Sequence, residues 1–278
     1  VRSYVLPEDR LSKRILHEEK GPMMKRLTIG IVITLLAIGC ASQFKERREL
    51  SRPMVALAMG KIQENEIQGA LIELRKAAAA NPTDPEVYYA YALAYWKSGK
   101  FDKAIENVDK AIVYGKNIEV EHPGLTSEAY NLKGTILVAQ AKYDESIPYF
   151  KKALEDELYQ TPEFVLYNLA NVYLQKKLLP LAFENAQKAL EHNPHYAPAW
   201  HLLSKIYVAQ GHPNDAVDAL KHAILEFPGY AEARWDLATL YLQMGARELA
   251  KEQLVEVVQL DPGGTFGVMA VEKLKGLE

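Results

Sequence analysis

The sequence predicts an all-α solenoid of about six helix-turn-helix repeats, closed by a C-terminal capping helix. Three observations carry that expectation. Glu163 to Pro194 reads as two antiparallel helices and a proline turn, with Ala170, Tyr173, Ala182, Ala189 and Pro194 as its markers. A shift of 34 residues gives Ser204, Tyr207, Ala216, Ala223 and Pro228, and a second gives Ala238, Tyr241, Ala250, Val257 and Pro262. The marked positions hold small residues where paired helices must approach closely, and a fixed period of this length is the mark of a repeat architecture.

Residues 1–22 are polar and charged, without a sustained apolar face. They read as an upstream extension before a start at Met23 or Met24; a disordered extension is the alternative. Residues 23–39 read as a signal peptide. Lys25 and Arg26 form a positive n-region, and Leu27 to Gly39 is an uncharged apolar run ending at Cys40. That run is shorter than the roughly 20 residues a bilayer-spanning helix needs. Leu36-Ala37-Ile38-Gly39-Cys40 resembles the bacterial lipobox. The resemblance implies that the Cys40 thiol takes a diacylglyceryl group and becomes the mature N-terminus. An uncleaved anchor with an incidental cysteine is the alternative. Two or more acyl chains anchor stably, at about 0.8 kcal/mol per buried methylene. Ala41, in place of an aspartate, implies the outer membrane, with the repeats facing the periplasm. Residues 40–50 read as a charged spacer.

Six repeats are expected over residues 51–264. Their close-approach positions are Ala70, Ala104, Ser146, Ala182, Ala216 and Ala250, so the first three gaps depart from or match the period as 34, 42 and 36 residues. The long gap places an inserted loop at Lys116 to Thr126, where Pro123-Gly124 breaks the pattern. The two extra residues of the third gap fall near Glu157 to Thr161. After Pro262, Gly263-Gly264 ends the last repeat, and residues 265–278 offer Phe266, Met269, Ala270 and Leu274 at helical spacing. That is the capping helix, covering the last apolar face.

The markers taken together resemble the tetratricopeptide repeat. In that family the residues five and twelve places into each unit face a groove. The fifth-place residues are Val55, Tyr89, Asn131, Tyr167, His201 and Trp235, and the twelfth-place ones are Ile62, Trp96, Val138, Leu174, Val208 and Leu242. Seven residues are about two helical turns, so each pair shares a face. The groove is therefore expected to be largely apolar and aromatic, suited to a peptide segment. Tyr89, Trp96, Tyr167, Leu174, Trp235 and Leu242 are the candidate protein-binding residues; packing between neighbouring repeats is the alternative role of the aromatics.

Composition narrows the function classes. Beyond residue 39 the chain carries 26 Lys and Arg against 32 Asp and Glu, an acidic balance that argues against nucleic acid as a partner. Cys40 is the sole cysteine, so no disulfide forms within the chain. The histidines, among them His192 and His195 around a proline turn, read as solvated turn residues. None has a Cys or acidic partner at familiar metal-ligand spacing, so no metal and no cofactor is expected. No nucleophile elbow or phosphate-binding glycine loop is present, and no enzyme is expected.

Lys152-Ala-Leu-Glu-Asp-Glu-Leu-Tyr-Gln-Thr-Pro162, followed by Asn168-Leu-Ala170, resembles a link segment of the PilF/PilW group of type IV pilus biogenesis lipoproteins. Asn131-Leu-Lys-Gly134 and Lys142-Tyr143-Asp-Glu145 are similar to that group's third repeat. The likeness extends in architecture from Cys40 to about Pro262, and the Lys116–Thr126 insertion departs from it. Such proteins are pilotins, which help the secretin subunit PilQ reach and assemble in the outer membrane. The resemblance thus implies a lipid-anchored adaptor whose partner is a secretin subunit or another envelope protein. A general periplasmic scaffold, for example for cell-wall hydrolases, fits the repeats equally.

Overall fold

A computed structural model describes residues 47–116 and 124–277. The extension, the signal segment, Cys40 and most of the expected insertion lie outside the described residues. Thirteen helices and no strand occur among the described residues. In order they are α1 (47–63), α2 (Ile67–Ala80), α3 (Pro85–Lys97), α4 (Phe101–Gly115), α5 (Leu125–Ala139), α6 (Tyr143–Ala153) and α7 (Pro162–Gln175). They continue as α8 (Leu179–His192), α9 (Ala197–Gln210), α10 (Pro213–Glu226), α11 (Ala231–Gln243), α12 (Arg247–Leu260) and α13 (Thr265–Lys275). No described helix is long and apolar enough to cross a membrane.

The six hairpin turns share one backbone solution. Asn65, Gly99, Ala141, Lys177, Gly211 and Gly245 all have positive φ, between 58° and 81°. Each directs its own N–H to the twelfth-place carbonyl and lets the next N–H reach one residue further back. In the second hairpin these are Gly99 N to Trp96 O at 2.9 Å and Lys100 N to Tyr95 O at 2.9 Å. In the third they are Ala141 N to Val138 O at 2.8 Å and Lys142 N to Leu137 O at 2.9 Å. This Schellman closure satisfies carbonyls that the helix end would otherwise leave unpaired.

The described residues fall into two compact units, divided between residues 87 and 88. In the first, Val55, Ala58, Ile62, Ala70, Leu74 and Ala77 form the buried seam between α1 and α2. Helix α1 extends into the expected spacer, because Arg48 and Ser51 have work to do there. Arg48 Nη2 donates to Glu86 Oε1 at 3.0 Å, and Ser51 Oγ donates to Asp84 Oδ2 at 2.5 Å. Asp84 Oδ1 accepts the Glu86 N–H at 3.0 Å, capping the start of α3 beside Pro85. Burial raises the Asp84 carboxyl above its usual pKa, against the lowering pull of the Ser51 hydroxyl.

The second unit is a run of hairpins. Ala104, Ser146, Ala182, Ala216 and Ala250 are all fully buried, where each second helix meets its own first helix. First helices also meet one another: α5 packs on α7, and α7 on α9. Second helices make no comparable contact among the described residues. The first-helix layer is therefore the tighter, inner side of this unit and the second-helix layer the outer side. Helix α13 packs on α12 and α11, burying Ala270 with Leu254, Val257 and Ala238. Asp261 Oδ2 accepts the N–H groups of Phe266 and Gly267 at 3.0 and 3.2 Å, satisfying two orphan donors at the start of α13.

Candidate functional site

The inner layer holds the expected anchors in unequal settings. Tyr89 and Trp96 on α3 are half-buried against Ala92, Ala104, Val108 and Ala111. Tyr167 and Leu174 on α7 are half-buried as well, and Tyr167 meets Tyr196 edge-on with centroids 5.5 Å apart. Trp235 on α11 packs under the capping helix beside Phe266, Leu274 and Leu277, so α13 covers part of its face. Leu242 rests on the cluster around Leu237, Leu240 and Tyr241.

The expectation of a largely apolar groove is corrected by the bonds that tie first helix to first helix. Asn168 Nδ2 donates to Asn131 Oδ1 at 2.9 Å, linking α7 to α5. Tyr89 and Thr161 hydroxyls donate to the two oxygens of Glu128, each at 3.4 Å. Lys205 Nζ stands 3.0 Å from Glu232 Oε1 and 3.8 Å from Asp236 Oδ2, linking α9 to α11. Places two, six and nine of a helix lie within one turn of places five and twelve, so a reading confined to the latter missed Glu128, Asn168, Lys205, Glu232 and Asp236. The i, i+3 and i, i+4 spacing of these polar residues on the first helices was the signal that could have found them.

His201 overturns the expectation that the histidines are solvated turn residues. It sits inside α9 and is 3% exposed. Its Nε2 lies 2.7 Å from Asp236 Oδ2 and its Nδ1 2.8 Å from the Tyr230 hydroxyl. A neutral imidazole with its hydrogen on Nε2 satisfies both, donating to the carboxylate and accepting from the phenol. The ligand atoms of His201, Glu232 and Asp236 lie within 4.8 Å of one another, the one such group of three among the described residues. The cation already held by these carboxylates is the Lys205 ammonium. His195 and His222 fit the surface reading better: His195 pairs with Glu226 at 2.8 Å, and His222 stacks on Trp200.

Electrostatics of the layer follow from half-burial. Desolvation raises the Tyr89 phenol, with the Glu128 charge adding to it. The Tyr196 and Tyr230 phenols are raised for the same first reason. Tyr159, at the end of the link segment, is pushed up to about 12, again mainly by burial. These phenols stay neutral donors and acceptors at neutral pH. The layer thus offers ring faces and hydroxyls, amide groups of Asn131 and Asn168, and carboxylates. That is an inventory for gripping a peptide by its backbone and side chains.

The fold and this lining define a helical-repeat scaffold of the kind that binds peptide or protein partners. Tetratricopeptide repeat models match residues 61–117, 131–197, 174–225 and 208–265, and the chain belongs to the tetratricopeptide repeat family. It is similar to the Hsp70-Hsp90 organizing protein of Triticum aestivum, 26% identical over 213 residues. That match covers 73% of this chain and 34% of the wheat protein, so the chain spans about a third of that relative. It is 27% identical over 149 residues to the type IV pilus assembly protein PilF of Pseudomonas aeruginosa, covering 54% of this chain and 56% of PilF. The solved structure of Pseudomonas aeruginosa pilF has a TM-score of 0.68 at 20% identity, covering 84% of this chain and 99% of that one. The structure of PilW, a widely conserved type IV pilus biogenesis factor, has a TM-score of 0.69 at 21% identity, covering 80% and 98%. At these identities the two structures show a shared fold.

Proposed function

We propose that this chain is an outer-membrane adaptor, tethered by lipid on Cys40, that holds a segment of a type IV pilus secretin in its first-helix groove. The observation that carries this reading is the near-complete span of two pilus factors, 99% and 98% of their chains, together with 27% identity to PilF over 149 residues. The lipobox resemblance and the Leu158-Tyr159-x-Thr-Pro162 link support it. Tyr89, Trp96, Tyr167, Leu174, Trp235 and Leu242 are the apolar contacts in this reading, and aromatic anchors usually dominate such interfaces.

The test is capture of the secretin by the full-length lipoprotein and by Trp96→Ala and Tyr167→Ala. Each truncation is expected to weaken capture by more than about tenfold, since anchor losses of about 2 kcal/mol are typical. Circular dichroism must show native helicity and a cooperative melt in both. Well-folded variants that capture the secretin at wild-type levels would remove the groove as the site. Recovery of cell-wall hydrolases and no secretin would move the reading to the general scaffold.

A further inference from the structure

We infer that the groove contains a cation subsite at Glu128, built for a basic side chain of the partner segment; this rests on the groove reading above. The subsite is formed by α3, α5 and the link before α7. Glu128 on α5 is half-buried. Its oxygens accept only long bonds of 3.4 Å, from the neutral hydroxyls of Tyr89 and Thr161. An ionised carboxylate has about four lone-pair sites and forms its shortest bonds with charged donors, so these two contacts leave it with capacity for a cation.

A second observation points to the same place. Tyr159 is 7% exposed, and its hydroxyl is buried without a hydrogen bond among the described residues. It stands near enough to Glu128, Asn131 and Thr161 for their polar groups to act on its acidity. A buried phenol without a partner costs free energy, about 1–3 kcal/mol for a typical unsatisfied group. Beside a carboxylate lacking a cation, it supplies one more acceptor for a multidentate donor.

A comparison within the array points to the chemistry of that cation. Glu232 holds the second place of the sixth repeat, as Glu128 holds that of the third. Glu232 is met at 3.0 Å by Lys205, the ninth residue of the preceding repeat. The ninth residue of the repeat preceding Glu128 is Leu93. The same carboxylate place is thus filled internally by an ammonium at one end of the second unit, while at the other the corresponding repeat position holds an aliphatic residue. The cation that completes Glu128 comes from outside, and the Tyr89 and Tyr159 rings beside it suit an arginine or lysine by cation–π attraction as well. A neutral apolar segment would leave the carboxylate desolvated and unpaired, which disfavours it.

The probes are three labelled peptides that alternate phenylalanine with arginine, glutamine or glutamate, titrated against the full chain by fluorescence anisotropy. The arginine peptide is expected to bind about tenfold more tightly than the glutamine peptide, as one charged hydrogen bond provides. Glu128→Gln removes the charge, and Leu93→Lys supplies an internal cation in the manner of Lys205. Each is expected to erase the preference, and native helicity with a cooperative melt shows that the fold of the groove is intact. Tyr159→Phe is expected to reduce the preference part-way. An arginine preference that survives both Glu128→Gln and Leu93→Lys overturns the inference and leaves the groove reading standing. Equal binding of all three peptides to the wild type does the same. If none of the three binds, the groove reading falls, and the subsite with it.

Discussion

Phe150 packs its ring against the bare Cα of Gly134. A Cβ at Gly134 would come within 2.6 Å of Phe150 Cε1, closer than any real contact of that kind, and Phe150 is fully buried. The other five repeats place Ala58, Ala92, Ala170, Ser204 and Ala238 at the same position. Here the large ring on α6 is accommodated only by removing the methyl on α5. Gly134→Ala is therefore expected to destabilise the fold by about 1–3 kcal/mol, despite alanine's better helix propensity. Adding Phe150→Leu should recover part of that loss. Urea unfolding of the single and double variants is the measurement, and a stabilised Gly134→Ala would refute the contact.

The left-handed turn residues predict gains. Ala141 and Lys177 sit at φ 58°, where a Cβ is strained, while Gly99, Gly211 and Gly245 hold the equivalent place without cost. Ala141→Gly and Lys177→Gly are each expected to stabilise the array by up to about 1 kcal/mol, the left-handed penalty less the glycine's extra chain entropy. Gly211→Ala should do the reverse by a similar amount. Thermal melts of the three variants give the signs.

Asp84 predicts a pH dependence in the first unit. Its pKa is raised in the fold, chiefly by burial, so the native state favours the protonated acid more than the unfolded chain does. Its contribution to stability is fully present below the unfolded value and is lost as pH rises through the folded one. Asp84→Asn keeps an oxygen for the Glu86 N–H and can donate to Ser51 Oγ, which already donates elsewhere in wild type. The stability of Asp84→Asn relative to wild type should therefore increase as pH rises from acid to neutral. Urea midpoints across that range check it, and a constant difference would show that Asp84 does not titrate between the two states.

Cys40→Ser is expected to leave the repeats folded and to abolish lipidation, since Cys40 is the only thiol. Metabolic labelling with a radioactive fatty acid followed by membrane fractionation reads both consequences. Equal label in wild type and variant would end the lipid-anchor proposal.

The repeat period was legible because close approach leaves little choice of side chain: Ala182, Ala216 and Ala250 are fully buried at a spacing visible in the letters alone. The turns were legible only where glycine marks them. Asn65, Ala141 and Lys177 adopt the same left-handed backbone without the residue that normally announces it, since hairpin packing imposes the conformation. Trp235 was read as a groove anchor by its place in the repeat; that the capping helix leans on it depends on tertiary packing beyond the period. His201 stood in a groove position in the sequence, but its partners Tyr230 and Asp236 are 29 and 35 residues away, each in the following repeat unit or the turn before it. No local pattern pairs them.

The contact of first helix with first helix, with no matching contact between second helices, has a mechanical side. Within the second unit the inner layer is knitted by packing and by the Asn131–Asn168 and His201–Asp236 bonds, while among the described residues each second helix is held by the first helices on either side of it. Such a structure bends like a spring leaf fastened along one face. Load applied along its length is expected to be absorbed by small rotations at the repeat boundaries, where helices meet less extensively than they do within a hairpin.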